Sequence, residues 1–250
     1  MKKNFAYYFK EIFARIWAVW GLVSFLTTFL IIFIPSMLTY LIKGNKGQYA
    51  FILVSKIWMR CWLFLIGCPL RIKGLENFKK GETYIITFNH NTLLDIPITC
   101  PFIPGANKTI AKSSFTKIPL FGSFYRKGSV LVDRNSTKSR AESFSKMKKV
   151  LAQKMYMSIY PEGTRNRTKD LLKPFYDGAF KLATDTQTDV LPGLLFNTNK
   201  AQPNNKIMYL LPTKLEMHFL KPISPKDLSS KELKEKVFNE MLEYYGKNKK

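Results

Sequence analysis

The hydrophobic and polar positions of this chain follow one pattern in residues 1–70 and another in the rest. Residues 16–42 are 27 consecutive positions without a charged side chain, more than the roughly 20 apolar residues that a helix needs to cross a bilayer. The segment is also longer than the hydrophobic region of a signal peptide, and no small-residue cleavage site follows it. The pattern predicts a membrane-associated helix, and Pro35 leaves open whether it spans the bilayer or inserts as a hairpin.

A second apolar segment, residues 49–70, differs because two basic residues interrupt it. Lys56 and Arg60 are one helical turn apart and share a face of the predicted helix, and Trp58 and Trp62 have the same spacing. This arrangement is typical of an amphipathic helix at the lipid surface, with indoles and basic side chains at headgroup depth. A second membrane span is the alternative. We assign residues 1–70 to N-terminal membrane-associated helices.

Residues 71–250 alternate short apolar segments with segments of helical period, which predicts an α/β domain with a mostly parallel central sheet flanked by helices. The predicted strands are residues 83–88, 108–111, 129–132, 157–160, 190–196 and 214–219. Helices are predicted to follow Asp95, Thr116, Asn135 and Tyr176. A capping-box pattern predicts the start of a last helix, which Gly246 is expected to end: Ser229 and Glu232. Loops at the strand ends are expected to carry the functional residues.

The charge of the chain restricts its partners. Lysine and arginine number 40 against 17 acidic residues, a formal net charge of +23. This excess favours anionic partners, which include nucleic acid, lipid headgroups, phosphorylated metabolites and acidic carrier proteins. Nucleic acid is disfavoured because no recognition motif is present and because the apolar segment belongs in lipid. Three cysteines in apolar surroundings and two histidines without a C-x-x-C pair favour neither a disulfide framework nor a zinc site, and indicate a reducing, cytosol-facing location.

The main candidate for catalysis follows the strand predicted at residues 83–88. His90 lies five positions before Asp95. Histidine is the usual general base near neutral pH, and a carboxylate can fix its tautomer and stabilise the imidazolium that forms. Because positions five apart point about 140° away from each other on a regular helix, a working pair requires His90 in the strand-to-helix turn and Asp95 in the first helical turn. Taken alone, a histidine that caps a strand end explains the residues equally well.

Residues 162–165 follow another predicted strand and have the composition of an anion-binding turn. Four successive positions supply a carboxylate, a glycine that permits close approach of a ligand, a hydroxyl and a guanidinium: Glu162, Gly163, Thr164 and Arg165. A polar turn with a surface salt bridge is the alternative. Two basic residues at other predicted strand ends are candidates for the same anion: Lys112 and Arg134.

Nucleotide-binding motifs of the G-x-x-x-x-G-K-[ST] and G-x-G-x-x-G types are absent, as is the G-x-S-x-G elbow of serine acyl enzymes. Four motifs occur in the order His90-x4-Asp95, residues 118–122 running to Val132-Asp133-Arg134, Glu162-Gly163-Thr164-Arg165, and Val190-Leu191-Pro192. They resemble those of the glycerolipid acyltransferase family, in particular its bacterial 1-acyl-sn-glycerol-3-phosphate (lysophosphatidate) acyltransferases. The resemblance covers about residues 74–222. Two positions depart from it: Tyr160, where Phe is commoner, and Gly193, where Val or Ala is usual.

The resemblance implies that an acyl thioester, either acyl-CoA or acyl-carrier protein, esterifies the sn-2 hydroxyl of lysophosphatidate and gives phosphatidate for phospholipid biosynthesis. It implies that His90 is the general base, that Asp95 orients it, and that residues 162–165 bind the glycerol phosphate. Lys112 and Arg134 are candidates for that phosphate or for the donor. Backbone N–H groups near Gly163 are candidate donors to the reaction's oxyanion.

No metal or cofactor is expected, and the catalytic domain is expected on the cytoplasmic face of the inner membrane, in contact with membrane lipids. Two alternatives stay open. One is an enzyme of the same family with glycerol 3-phosphate or another lysophospholipid as acceptor. The other is a non-catalytic lipid-binding membrane protein, which would not need His90 and Asp95.

Overall fold

A sheet of seven strands and eight α-helices make up the computed structural model, which describes residues 5–133 and 135–249. The strands are β1 (Leu70–Lys73), β2 (Ile85–Phe88), β3 (Asn107–Lys112), β4 (Ser129–Val132), β5 (Tyr156–Ile159), β6 (Val190–Phe196) and β7 (Leu215–Phe219). The helices are α1 (Phe5–Leu38), α2 (Gly44–Leu65), α3 (Asp95–Thr99), α4 (Phe121–Gly128), α5 (Thr137–Ala152), α6 (Gly178–Thr186), α7 (Thr198–Ala201) and α8 (Ser230–Asn248).

The strand order is β1-β7-β6-β2-β5-β3-β4. The five strands from β6 to β4 are mutually parallel, β7 runs antiparallel to β6, and β1 runs parallel to β7. The predicted α/β class with a mostly parallel sheet is therefore confirmed. Because β2, β5 and β6 are parallel neighbours, the segments that follow them emerge at one edge of the sheet, where ligands bind in folds of this kind.

All six predicted strands are present, with bounds that differ by at most two residues. The sequence prediction missed β1, which pairs with β7. This strand has four residues, too few for an alternation of apolar and polar positions to stand out. The capping box of Ser229 and Glu232 is formed, but α8 continues through Gly246 to Asn248, so the predicted end was wrong. Gly246 does not adopt the left-handed conformation that ends a helix at glycine.

Two apolar clusters cover the two faces of the sheet. On one face, α5, α6 and α8 contribute buried side chains such as Met147, Phe180 and Met241. On the other face, α1, α2 and α3 contribute side chains such as Phe29, Trp58 and Ile98. Since the helical hairpin shares this second cluster with the sheet, the proposed division of the chain at residue 70 stays a prediction.

The two N-terminal helices form an antiparallel hairpin whose inner face is fixed by indole hydrogen bonds. Trp62 Nε1 donates to the carbonyl of Gly21 at 3.0 Å, and Trp58 Nε1 donates to Thr28 Oγ1 at 2.9 Å. Both indoles are buried, with 7% and 3% exposure. The rings therefore pack between the helices with each N–H bonded to α1 and do not face outward, while their predicted position at headgroup depth stays a prediction.

The outer face of the hairpin is apolar and exposed. Residues 5–41 form the one helical segment in the described part of the chain that is long and apolar enough to cross a membrane, and Pro35 lies inside α1 without dividing it. Large side chains along this face are exposed in a row: Phe5, Phe9, Ile12, Ile16, Leu26, Leu30, Ile31 and Ile34. A soluble monomer seldom exposes an apolar surface of this extent, which is typical of contact with lipid.

Candidate active site

His90 and Asp95 lie in the turn between β2 and α3, as their spacing required. β2 ends at Phe88, and Asp95 is the first residue of α3. His90 Nδ1 is 2.8 Å from Asp95 Oδ2. The carboxylate is fully buried, whereas the imidazole keeps 14% of its side-chain surface exposed. The pair therefore has the geometry of a carboxylate that orients an accessible base.

The carboxylate of Asp95 is held by the turn that it closes. Its Oδ2 also accepts from the backbone N–H groups of Asn91 at 2.5 Å and Thr92 at 2.7 Å, and the Thr92 hydroxyl donates to Oδ1 at 3.3 Å. An ionised carboxylate only accepts hydrogen bonds, so the proton of a neutral His90 lies on Nδ1. Nε2 then carries the free lone pair that can accept a proton from a substrate.

A tyrosine ring packs against the imidazole at a tilt of 36°. The Tyr160 ring lies 4.5 Å from the His90 ring, centroid to centroid, and its hydroxyl is 2.8 Å from Thr99 Oγ1 on α3. Burial, with a further contribution from the negative charge of Asp95, holds the pKa of Tyr160 well above its usual range, so this phenol stays neutral. Gly193 leaves room for this arrangement, because a Cβ there would lie 2.4 Å from the ring of Phe88, which packs beside Tyr160.

Glu162 joins its own motif, residues 162–165, to the His90-x4-Asp95 motif. Its Oε1 accepts from the backbone N–H of His90 at 2.7 Å, and its Oε2 accepts from the N–H of Lys173 at 3.0 Å. Burial raises the pKa of Glu162 above its ordinary value, and these two N–H groups partly offset the rise. The residue is fully buried, so neither oxygen faces a ligand. This geometry does not support the predicted contact with the glycerol phosphate; it indicates that Glu162 braces His90.

The backbone N–H groups of the turn at Gly163 donate to carbonyl groups of the same turn. Gly163 has φ +70°, and its N–H donates to the carbonyl of Tyr160 at 3.0 Å. The N–H of Thr164 donates to the carbonyl of Glu162 at 2.8 Å, and Thr164 Oγ1 accepts from Lys173 Nζ at 2.6 Å. These two N–H groups bond within the turn, which does not favour them as donors to an oxyanion, and the expectation that N–H groups near Gly163 supply such donors stays a prediction.

Arg165 lines a cavity of about 540 Å³ between α1 and the site loops. Two further cations line the same cavity, Arg167 and Lys206, and we call it the cationic cavity. An anion that entered it would therefore meet several positive groups.

The structure does not bring Lys112 to this cluster. Lys112 is exposed at the end of β3, and β5 separates β3 from β2, which places the two strands about 10 Å apart. It lines neither the cavity beside Arg165 nor the apolar one described next. Arg134 lies outside the described residues. The assignment of these two basic residues to a phosphate stays a prediction.

A second cavity, of about 250 Å³, adjoins the first and is almost entirely apolar. Phe25, Leu93 and Pro97 line both cavities. From that shared wall the apolar cavity extends below α2 to Phe51 and Gly128. Phe51 and Trp58 both line the apolar cavity and lie two helical turns apart on α2. The cavity is therefore at least about 10 Å long, which suits a hydrocarbon chain.

Several site residues were not predicted from the sequence. Arg167 lies two positions after Arg165, and that proximity was a usable signal. Lys206 and Asn204 lie on a loop almost forty residues beyond the motif, and no motif or period marks them. The hydrogen bonds of Asn204, described below, are visible only in the folded chain.

Comparisons with known proteins match the part of the chain that carries these residues. A family model described as Acyltransferase matches residues 69–195, which include His90, Asp95 and residues 162–165. The 1-acyl-sn-glycerol-3-phosphate acyltransferase of Helicobacter pylori is 30% identical over 190 residues, which cover 74% of this chain and 78% of that protein. Proteins of the same name from Borreliella burgdorferi and Cocos nucifera are 35% and 31% identical over 142 and 170 residues. These matches cover 55% and 67% of this chain, and the chain spans about half the length of those two relatives.

The fold has a counterpart among solved structures. The crystal structure of the 1-acyl-sn-glycerophosphate (LPA) acyltransferase PlsC from Thermotoga maritima superposes with a TM-score of 0.79 and covers 95% of this chain and 97% of its own. Sequence identity is 21%, so this likeness concerns the fold, including the helical hairpin at the N-terminus.

Proposed function

Because the chain belongs to the acyltransferase family, we propose that it transfers an acyl chain from an acyl thioester to the sn-2 hydroxyl of 1-acyl-glycerol 3-phosphate, forming phosphatidate for phospholipid biosynthesis. One observation carries the proposal. The turn that carries the accessible His90 and the buried Asp95 also carries Leu93, which lines two adjoining cavities, one with Arg165, Arg167 and Lys206 in its lining and one almost entirely apolar. A substrate with a phosphate, a hydroxyl and hydrocarbon chains matches this arrangement. The relatives that carry this activity by name support the choice of acceptor.

In the proposed reaction His90 Nε2 takes the proton of the acceptor hydroxyl as its oxygen attacks the thioester carbonyl. The carboxylate of Asp95 stabilises the imidazolium that forms. The tetrahedral intermediate then expels the thiolate, which takes the proton from the imidazolium and leaves as the free thiol. An alcohol is a weak acid, and a positioned base typically contributes about 10²- to 10⁴-fold to such a step. The donor is acyl-CoA or acyl-carrier protein, and no metal or cofactor takes part.

The two cavities differ in chemistry, so each suits a different part of the substrates. We assign the phosphate of the acceptor to the cationic cavity, which contains Arg165, Arg167 and Lys206. A guanidinium group can donate two parallel hydrogen bonds to the oxygens of one phosphate. We assign the acyl chain of the donor to the apolar cavity. The two cavities share a wall at Leu93, which lies three residues after His90 in the turn that also carries Asp95.

The helical hairpin explains how such an enzyme would reach its substrates. Acceptor and product are both membrane lipids, and the exposed apolar face of α1 is suited to insertion in the bilayer. We propose that the hairpin holds the site at the headgroup plane on the cytoplasmic face of the inner membrane. The positive charge of the chain would attract both anionic lipid and an acidic donor.

The function is tested by an acyl-transfer assay on the purified protein in phospholipid vesicles. Lysophosphatidate, glycerol 3-phosphate and a lysophospholipid with a larger headgroup are compared as acceptors, with acyl-CoA and acyl-carrier protein as donors. We expect phosphatidate from lysophosphatidate with the highest kcat/KM. A higher kcat/KM with another acceptor would assign the enzyme to that acceptor, and no transfer to any acceptor would refute the proposal.

Replacing Arg165 by alanine should raise the KM for lysophosphatidate about 10- to 100-fold with a smaller change in kcat. The reason is that a hydrogen bond to a charged group contributes about 1.5–3 kcal/mol, and Arg165 lines the cationic cavity. The measurement is steady-state kinetics with lysophosphatidate and, as a phosphate-free acceptor, monoacylglycerol. Arg140→Ala, which removes the same charge from the exposed surface of α5, serves as the control. An unchanged KM in Arg165→Ala would remove this residue from the phosphate site.

Replacing Gly128 by leucine should shift the enzyme toward shorter donor chains. A Cβ at this position would lie 3.1 Å from the ring of Phe51, where both residues line the apolar cavity. Each methylene group that the new side chain excludes should lower kcat/KM about fourfold, since burial of one methylene contributes about 0.8 kcal/mol. A series of saturated acyl-CoA donors measures the effect, with Gly128→Ala as the smaller change. Identical chain-length profiles for all three proteins would show that the donor chain lies elsewhere.

A further inference from the structure

Residues 202–211, here called the strap, connect α7 to the segment before β7 and lie between α1 and the two site loops. Eight strap residues line the cavity beside Arg165, among them Gln202, Asn204 and Lys206. The strap contributes no residue to the motifs of the active site. Its hydrogen bonds nevertheless join both motifs to each other and to the N-terminal helix.

The amide of Asn204 bridges the two motifs. Its Nδ2 donates to the backbone carbonyl of Asn91, the residue after His90, and to the carbonyl of Asn166, the residue after Arg165, at 2.8 Å. The orientation of this amide is fixed, since only its NH₂ group can face two carbonyl oxygens. Both of its hydrogens are used in this way, so none is left for a substrate. One side-chain nitrogen thus holds the backbone beside the base and beside the guanidinium.

Neighbouring bonds make this bridge part of a closed network. The N–H of Asn166 donates to the carbonyl of His90 at 2.6 Å, and the N–H of Asn91 donates to Asp95. Gln202 Oε1 accepts from the N–H of Leu94 at 3.2 Å, so the strap also holds the far end of the His90–Asp95 turn. A displacement of Asn91 or Asn166 would therefore change the distance between His90 Nδ1 and the carboxylate that orients it.

The strap is in turn attached to α1 at three points. The N–H of Leu210 donates to the carbonyl of Ala14 at 3.1 Å, and Arg15 Nη1 donates to the carbonyl of Ile207 at 3.1 Å. Lys206 forms an ion pair with Glu11, which also pairs with Arg15. Glu11 is the single acidic residue among residues 1–70. Its position on an otherwise apolar and basic helix is accounted for by this attachment.

We propose that Asn204 is a positioning residue of the active site, and that α1, through Glu11 and Lys206, holds the strap in the conformation in which Asn204 aligns His90 with Asp95. The membrane helix then has a second role besides anchoring: it supports the geometry of the base. The kinetic part of this inference rests on the proposed acyl transfer, whereas its structural part can be measured without substrate.

Hydrogen exchange on the full-length protein in vesicles tests the bridge directly. In Asn204→Ala, peptides that cover residues 89–95 and 162–168 should exchange at least about tenfold faster than in the wild type, because the N–H groups of Asn91, Thr92 and Asn166 lose their support. Asn205→Ala is the matched control, since Asn205 is the exposed neighbour, and should leave exchange unchanged. Equal exchange in all three proteins would overturn the proposal whether or not the protein transfers acyl chains.

Kinetics then separate positioning from contact with substrate. In Asn204→Ala and the isosteric Asn204→Asp, kcat should fall about 10- to 100-fold while the KM for lysophosphatidate changes less than about threefold, because misalignment of a base affects the chemical step. A raised KM with unchanged kcat would show that Asn204 binds the acceptor and would contradict the proposal. Wild-type protein without transfer activity would refute the proposed function and leave the exchange result to decide the bridge.

A double-mutant cycle tests the link to α1. Glu11→Gln alone should lower kcat by up to about fivefold, the effect of losing a partly exposed ion pair. In the Asn204→Ala background the same change should have no further effect on kcat, because the bridge that it supports is already absent. Independent, multiplicative effects of the two substitutions would show that α1 does not act through Asn204.

Discussion

Replacing His90 by alanine should lower the rate of phosphatidate formation by at least about a hundredfold and leave a folded, membrane-bound protein. The expected loss follows from the role of a general base, which typically contributes about 10²- to 10⁴-fold. Folding should persist because the imidazole is partly exposed and its loss leaves the backbone bonds of residue 90 to Glu162 and Asn166 in place. The measurement is single-turnover acyl transfer at saturating acceptor, so that binding and chemistry are separated.

The second histidine provides the control for this experiment. His218 is buried on β7, where its Nε2 is 2.7 Å from Glu216 Oε2 and its Nδ1 is 3.2 Å from the Tyr244 hydroxyl. Burial lowers the pKa of His218 and the hydrogen bond to Glu216 partly offsets this, so the ring is a neutral core residue. His218→Gln should lower the melting temperature but leave kcat per folded molecule within about threefold. Near-normal transfer by His90→Ala would refute the mechanism.

The turn that pairs His90 with Asp95 could be predicted because its parts are close in sequence. Five positions separate His90 from Asp95, and the geometry of a strand followed by a helix leaves one way for them to meet, which the 2.8 Å contact confirms. The parallel sheet was predictable for a related reason, since each strand carries its own apolar pattern. In both cases the controlling interactions act over a few residues.

Other parts of the site depend on contacts between distant residues. Glu162 resembled a ligand-binding carboxylate in the sequence, but the fold buries it against the backbone of His90, 72 positions away. Trp58 and Trp62 had the spacing of interfacial indoles, but α1 supplies their partners. Asn204 has no distinguishing neighbour in the chain, and its two acceptors lie 113 and 38 positions away. Local patterns carry no information about such partners.

The role of Glu162 shows how the two motifs depend on each other. Its carboxylate accepts from the N–H of His90, while the N–H of Asn166 donates to the carbonyl of His90. Both backbone groups of the base are therefore bonded to the loop that also carries Arg165. In the proposed reaction, this geometry would hold the acceptor's phosphate in a fixed relation to the base that activates its hydroxyl.

Replacing Asp95 by asparagine should lower kcat about a hundredfold with little change in the melting temperature. The amide oxygen can take the place of Oδ2 and keep the bonds from His90, Asn91 and Thr92, so the turn and the tautomer survive. What is lost is the negative charge beside the imidazolium that forms when His90 takes the proton, and a hydrogen bond to a charged group contributes about 1.5–3 kcal/mol. The imidazolium in the transition state loses that stabilisation, and a decrease in rate without unfolding is the expected result.

Asp95→Ala separates the two roles of this carboxylate. It removes the charge and also leaves the buried N–H groups of Asn91 and Thr92 without an acceptor, each at about 1–3 kcal/mol. We therefore expect the same loss of kcat or more, together with a clear fall in the melting temperature. Thermal unfolding and single-turnover transfer on the two variants measure stability and rate independently. If Asp95→Asn transferred acyl chains at the wild-type rate, the charge of Asp95 would have no part in the reaction, and only its structural role would stand.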